Sequence, residues 1–213
     1  AMGPAPDEGG PMTLPGTPIR TEGRLGIGLF SVVEQAGPQF VATIDAATVT
    51  VETLGLNAHG ALASQSFLQA PATITMRGSS VTTRGVAAVG LRAIGAGTVT
   101  SHQTTVLTQG LASHGVLARD NPSSVNLNDS TVLATGDEAH GAVAETGGRI
   151  SGLNSSVRAT GANAAALYAA GEPGKVSLAD FAGSTLVSRR GPVIGIAGPA
   201  PITLNGSILG DAS

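Results

Sequence analysis

Apolar and polar residues alternate along this chain in short runs, broken by Gly, Asn and Asp. One apolar column runs Ile44, Ile74, Val99, Val125, Ile150, Val176 and Ile202. The residue after each is polar: Asp45, Thr75, Thr100, Asn126, Ser151, Ser177 and Thr203. A period of two with one apolar face predicts half-buried β-strands. The same strands close on turn formers at Asn128-Asp129, Asn154, Asp180 and Asn205-Gly206, residue types that tolerate the left-handed backbone of a sharp corner. Asp129 and Asp180 are thereby expected to share a corner.

A longer period lies over the short one. Its unit is a Ser/Thr-Val step, a Gly corner, a short apolar stretch flanked by Gly, and a second strand. It reads SSVTTRGVAAVGLRA from Ser79, TTVLTQGLASHGVLA from Thr104, STVLATGDEAHGAVA from Ser130 and SSVRATGANAAALYA from Ser155. More divergent copies begin at Ala47 and Ser184. Val81, Val106, Val132, Val157 and Leu186 each stand nine residues before Gly90, Gly115, Gly141, Ala166 and Gly195. Successive copies are 25, 26, 25 and 29 residues apart, so length varies in corners while strands hold. Corner insertions are expected near 65–72 and 181–183.

A unit this small cannot bury its own apolar face and must stack on its neighbours. Stacked strands then pair in parallel, about 4.8 Å apart. The expectation is an all-β, right-handed parallel β-helix of about seven rungs over residues 23–213, after a tag remnant and Pro/Gly-rich leader at 1–22. A left-handed hexapeptide coil would need a strict six-residue apolar period, which is absent. Ala93-Ile94-Gly95-Ala96-Gly97 matches the repeat of left-handed adhesin heads only once.

Composition narrows the interior. Aromatics make up 2% of residues, Trp is absent and Gly numbers 31, which suits a thin core of Val, Ile, Leu and Ala. The net charge of −3 and a longest basic run of Arg189-Arg190 argue against a nucleic-acid partner. Cysteine is absent, so neither a disulfide framework nor a thiolate metal site is expected. No apolar run is long enough for a membrane-spanning helix.

Candidate chemistry is sparse. A carbohydrate-active β-helix needs clustered carboxylates, yet Glu138 and Glu145 stand alone and the acids at corners alternate with Asn and Gly. No nucleophile elbow or dinucleotide-binding spacing occurs, so no catalytic residue and no cofactor is assigned. His59, His114 and His140 each precede a corner Gly and invite a metal or pH-switch reading. Their column also contains Ile27, Val89, Ala165 and Ile194, which favours a half-buried stacking ladder and no metal. Two residues after the corner runs a column expected to face outward: Phe30, Leu62, Arg92, Leu117, Val143 and Tyr168, followed by Ala197. An outward apolar stripe of this kind is a candidate interaction surface, the plainer reading being that a loop or another part of the protein covers it.

The Ser-Thr-Val strand, Thr-Gly corner and Ala-x-Gly-Leu/Val-x-Ala stretch together resemble the passenger domain of pertactin-like bacterial autotransporters. SVRATGANAAALYAAGEPGKVSLAD and STVLATGDEAHGAVAETGGRISGLN carry the resemblance best, and it covers about residues 23–210. The resemblance implies a surface-exposed or secreted virulence factor, exported through the periplasm and carried across the outer membrane by a C-terminal β-barrel not contained in this sequence. It implies an adhesin or immune-evasion rod contacting a host cell surface or extracellular host protein; some members of the family carry protease or esterase domains, but the sparse candidate chemistry here leads to the expectation of no enzymatic activity and no cofactor. A monomer is expected. A structural spacer within a larger passenger is the alternative, followed by a carbohydrate-active β-helix enzyme.

Overall fold

The computed structural model describes residues 12–33, 41–65 and 71–211, all of them strand, turn or irregular backbone without a helix. Three strands make one rung. The first rung is β1 (Met12–Pro15), β2 (Pro18–Thr21) and β3 (Leu29–Val33). The second is β4 (Ala42–Ala47), β5 (Thr50–Thr53) and β6 (Ala61–Gln65), and the third β7 (Ala72–Arg77), β8 (Ser80–Thr83) and β9 (Leu91–Ile94). Next come β10 (Thr98–His102), β11 (Thr105–Thr108) and β12 (Val116–Arg119), then β13 (Ser124–Asn128), β14 (Thr131–Ala134) and β15 (Ala142–Glu145). They are followed by β16 (Arg149–Leu153), β17 (Ser156–Ala162) and β18 (Leu167–Ala170), then β19 (Leu178–Ala182), β20 (Thr185–Arg190) and β21 (Ile194–Ala197). A final pair is β22 (Ile202–Asn205) and β23 (Ile208–Asp211).

Equivalent strands of successive rungs pair into three sheets of eight, eight and seven strands. Every ladder is parallel, so the chain is a parallel β-helix. Strands β1 and β2 lie inside the stretch read as a loose leader, so the coil begins earlier than its Pro/Gly content suggests. Pro15 and Pro18 sit in end strands of their sheets, where a missing ladder donor is tolerated.

The inward column of the first sheet runs Ile44, Ile74, Val99, Val125, Ile150, Ala179 and Ile202. Val176, expected here, is instead 47% exposed, outside any strand. The chain between β18 and β19 forms a small turn closed by the antiparallel bridge of Glu172 and Lys175, which displaces the register. That turn is the corner insertion. Residues 181–183 are not: Phe181 pairs with Gly152 and Leu204, and Gly183 is an ordinary corner. The other expected insertion, at 65–72, lies mostly outside the described residues.

Asp180 likewise leaves the corners. It sits mid-strand between Ser151 and Thr203, facing outward, whereas Asp129 is at a corner with φ +49°. One corner column runs Gly16, Thr48, Gly78, Gln103, Asp129, Asn154, Gly183 and Gly206, every member at positive φ. A second runs Leu25, Asn57, Ala87, Ala112, Glu138 and Asn163, also all positive. Stacking dictates the bend here, and non-Gly residues are forced into left-handed backbone against their own preference. Ala112→Gly is therefore expected to raise unfolding free energy by about 1 kcal/mol, after its larger unfolded-state entropy is offset. A denaturant midpoint that falls or stays constant would show the bend to be strain-free.

The Ser/Thr-Val step of the sequence has two physical causes. Val51, Val81, Val106, Val132 and Val157 point inward and are at most 1% exposed. The hydroxyl column two residues before them, Ser79, Thr104, Ser130 and Ser155, is also buried. Ser130 Oγ accepts the Thr104 N–H at 3.2 Å and donates to the Asn128 carbonyl at 2.9 Å. Ser155 and Ser184 repeat both bonds, and Ser79 accepts the Val49 N–H at 3.1 Å. Each hydroxyl satisfies a corner N–H that no ladder reaches, which offsets the cost of burying it.

Between these columns the core fills by alternation. One inward column of the first sheet runs Ala46, Met76, Ser101, Leu127, Gly152, Phe181 and Leu204. From Ala46 to Phe181 small residues sit between large ones, which gives Met76 and Leu127 room on both sides.

Candidate functional site on the outer face of the third sheet

The column expected to face outward exists as a register column. Phe30, Leu62, Arg92, Leu117, Val143 and Tyr168 pair in sequence across β3, β6, β9, β12, β15 and β18. It ends on Gly195 and not on Ala197, which pairs with Ala170. A register shift between β17 and β20 removes residues from the last rung. For the same reason Val193 holds the corner place assigned to Gly195: its carbonyl accepts the Leu167 N–H as that of Ala166 accepts the Ala142 N–H. Ile194 pairs with Leu167, inside the coil, and leaves the histidine column.

The stripe faces away from the coil, but it is not open. Leu62 is 6% exposed, Leu117 4% and Val143 0%, while Phe30 in the first rung is 47% exposed. Val89, Leu117, Val143 and Tyr168 form a small apolar cluster of their own, separate from the core inside the coil. The stripe as a whole is thus not an exposed docking surface. Three residues back along each strand, across the corner Gly, stands the histidine column, and its last ring stacks on Tyr168 at the edge of this cluster.

His114 and His140 stack with centroids 5.2 Å apart and planes 3° from parallel, and Tyr168 continues the stack 4.9 Å beyond His140. All three corner histidines use Nδ1 as an acceptor. His59 takes the Val89 N–H at 3.1 Å, His114 the His140 N–H at 3.1 Å, and His140 the Ala165 N–H at 2.8 Å. Each ring therefore caps a backbone donor of the next rung, and the neutral Nε2–H tautomer is the one that fits. The ladder reading holds in geometry. With every Nδ1 engaged, only Nε2 could meet a metal, and among the described residues no three His, Cys, Asp or Glu groups converge.

Arg92 lies in the same strip. Its Nη1 is 2.6 Å from His59 Nε2, and its Nε is buried without an acceptor among the described residues. His59 thus meets a donor at each nitrogen, while a neutral imidazole can accept at only one. Burial, with the Arg92 guanidinium alongside, pushes His59 from 6.5 down to about 4. Burial and then the adjacent His140 bring His114 to about 4, against the pull of Glu145. His140 is lowered by burial too, opposed by Glu145 and Glu138. Burial and Arg119 lower Arg92, while Glu145 and Asp120 counter them.

Arg119 and Glu145 pair across the strip at 2.6 Å and close its flank. They and Val89 belong to the site although the outward column omitted them. The spacing of three across a corner Gly, His114 to Leu117 or His140 to Val143, is the sequence signal that the two columns run side by side.

On the first sheet the outer face carries hydroxyls and amides. Thr73 and Thr75, Thr98 and Thr100, Ser124 and Asn126 form two parallel rows over β7, β10 and β13. A shallow groove of about 260 Å³ lies further along this face, lined by Ser151, Leu153, Asp180, Ala182, Thr203 and Asn205 among others. No protein-family model, curated protein or solved structure matches this chain.

Proposed function

We propose that this chain is a non-enzymatic binding rod of the pertactin-like passenger type, displayed at or released from a bacterial surface and contacting a host cell or extracellular host protein. One observation carries the reading. The inside of the coil is packed with Val, Leu, Ile and Ala, leaving recognition to its outer faces, and the first sheet's outer face repeats partly exposed hydroxyl and amide groups rung after rung. A regular array of this kind suits an extended, repeating partner, because each rung offers the same donors and acceptors about 4.8 Å on.

A spacer role is favoured by a different observation. Several of these polar groups bond to each other, Ser151 Oγ donating to Asn126 Oδ1 at 2.9 Å and Thr98 meeting Ser124 at 3.2 Å. The two readings separate on a panel of immobilised matrix proteins and host-cell glycans. A binding rod is expected to retain at least one panel member and to lose it about tenfold when Thr75 and Thr100 are both replaced by Glu. Retention unchanged by the double substitution would remove this face from the proposal, and no retention on any surface would favour the spacer.

A further inference from the structure

The strip on the third sheet holds three histidines whose chemistry neither a rod nor a spacer requires. We propose that His59, His114 and His140 form an acid-released latch, which seals the outer apolar strip at neutral pH and opens it on protonation while the coil stays folded.

The geometry supplies the switch. At each ring Nδ1 accepts a backbone N–H, from Val89, His140 and Ala165. A proton on Nδ1 turns that acceptor into a donor facing a donor, so the bond is lost and the ring must turn away. His59 carries a second conflict, because its Nε2 faces the Arg92 guanidinium at 2.6 Å. A protonated His59 would set two cations in contact, with no carboxylate bonded to either among the described residues. His114 and His140 lie face to face, so charging both repels both. His140 stacks on Tyr168, which packs with Val89, Leu117 and Val143 in an apolar cluster distinct from the core, so a ring that turns away takes cover from that cluster.

Among the described residues, the charged groups that act on the rings are few. Arg92 faces His59; His140, Glu145 and Arg119 face His114; Glu145 and Glu138 face His140. Glu145 favours the charged rings but is held by Arg119. Burial outweighs it, and the rings stay neutral while the strip is shut.

The sign follows from linkage. A ring at about 4 when shut and 6.5 when open adds nothing above pH 7, and drives opening as pH falls through 6.5 towards 4. At pH 5 the opening equilibrium is shifted about 30-fold by each of His59 and His114. Below about pH 4 no further shift comes from these two rings. The coil is held by hydroxyl ladders and apolar columns that do not titrate in this range, which is why the strip yields first.

The chain contains one tyrosine and no tryptophan, and Tyr168 is that tyrosine, stacked on His140. Its quenching by acrylamide therefore reports the strip, and far-ultraviolet circular dichroism reports the coil. Between pH 7.5 and 4.5 the quenching constant of Tyr168 is expected to rise reversibly, at least twofold, with the strand signal unchanged. Replacing all three histidines with Asn keeps an acceptor oxygen near the Nδ1 position without a titrating proton. That variant is expected to lose the transition. Simultaneous loss of both signals in the wild-type chain, or no change in quenching down to pH 4.5, would overturn the latch. So would a folded Asn variant with an undiminished transition. The single His140→Asn chain provides the same comparison with a smaller change, and is expected to shift the midpoint towards acid.

Discussion

Replacing Phe181 with Ala is expected to lower the unfolding free energy by about 4 kcal/mol, the middle of the range for deleting a buried ring. Phe181 is 1% exposed and leans over Gly152, whose absent side chain makes room for it. A Cβ built on Gly152 would lie 2.3 Å from two ring carbons of Phe181. The hole left by the ring therefore extends over two rungs, and no neighbour in the Gly152 position can lean in to fill it. The same geometry predicts a change of sign. Gly152→Ala alone should cost roughly 2 kcal/mol by overpacking, yet in the Phe181→Ala background it should recover part of the loss. Urea unfolding of the four chains followed by circular dichroism measures this coupling. Additive effects, or a loss below about 1.5 kcal/mol for Phe181→Ala, would mean that the ring is not wedged as described.

Gly110→Ala is expected to cost about 3 kcal/mol, although the change adds a single methyl group. Gly23, Gly55, Gly85, Gly110, Gly136 and Gly161 stack one over the other at one corner. At Gly110 an added Cβ would meet the Gly85 carbonyl oxygen at 2.0 Å and its carbon at 2.5 Å. Backbone cannot rotate aside as a side chain can, so the rungs themselves must part. The first member of the column is the internal control. Gly23 has nothing within 4 Å of its Cβ direction, since no rung lies beneath it among the described residues. Gly23→Ala should leave the thermal midpoint within about a degree, whereas Gly110→Ala should lower it by roughly 5–10 °C. Equal shifts in the two variants would refute close rung contact as the reason for glycine here.

Those two sites show what was legible in the sequence. Alternation around Ile74, Val99, Val125 and Ile150 gave both strand and facing, because one side of each strand meets the core and the other meets water. The recurrence of a Val nine residues before a corner held through four rungs for a reason now visible: Gly115 leaves space for Val132 of the following rung, 2.2 Å from where a Cβ would stand. In the last rung the count of nine from Leu186 to Gly195 still held in sequence but lost its meaning, since a register shift had altered the chain between them. Composition could not reveal that Ala46, Met76, Ser101, Leu127, Gly152 and Phe181 alternate in size, because the pairing spans about 25 residues and depends on register.

The direction of the stripe is legible in the sequence, and its burial is not. Phe30 to Tyr168 do face away from the coil, and period-two logic ends there. Whether such a column meets solvent depends on side chains from neighbouring columns and corners, as where Val89 packs on Leu117 and Val143 and His140 stacks on Tyr168. The histidines were singled out for their shared place before Gly, and that place is what lets each cap a donor of the next rung.

The nearest-neighbour register has a consequence for how the chain assembles. Each strand finds its partner roughly 25 residues back, whatever the total number of rungs. The loop to be closed for each addition is of constant size, so its entropic cost does not grow as the chain lengthens. The last rung formed presents the next with two rows of waiting N–H and C=O groups, a template already in register. Folding can thus advance as a moving front, and a defect such as Gly110→Ala is expected to stall that front at one rung while those already laid down remain intact.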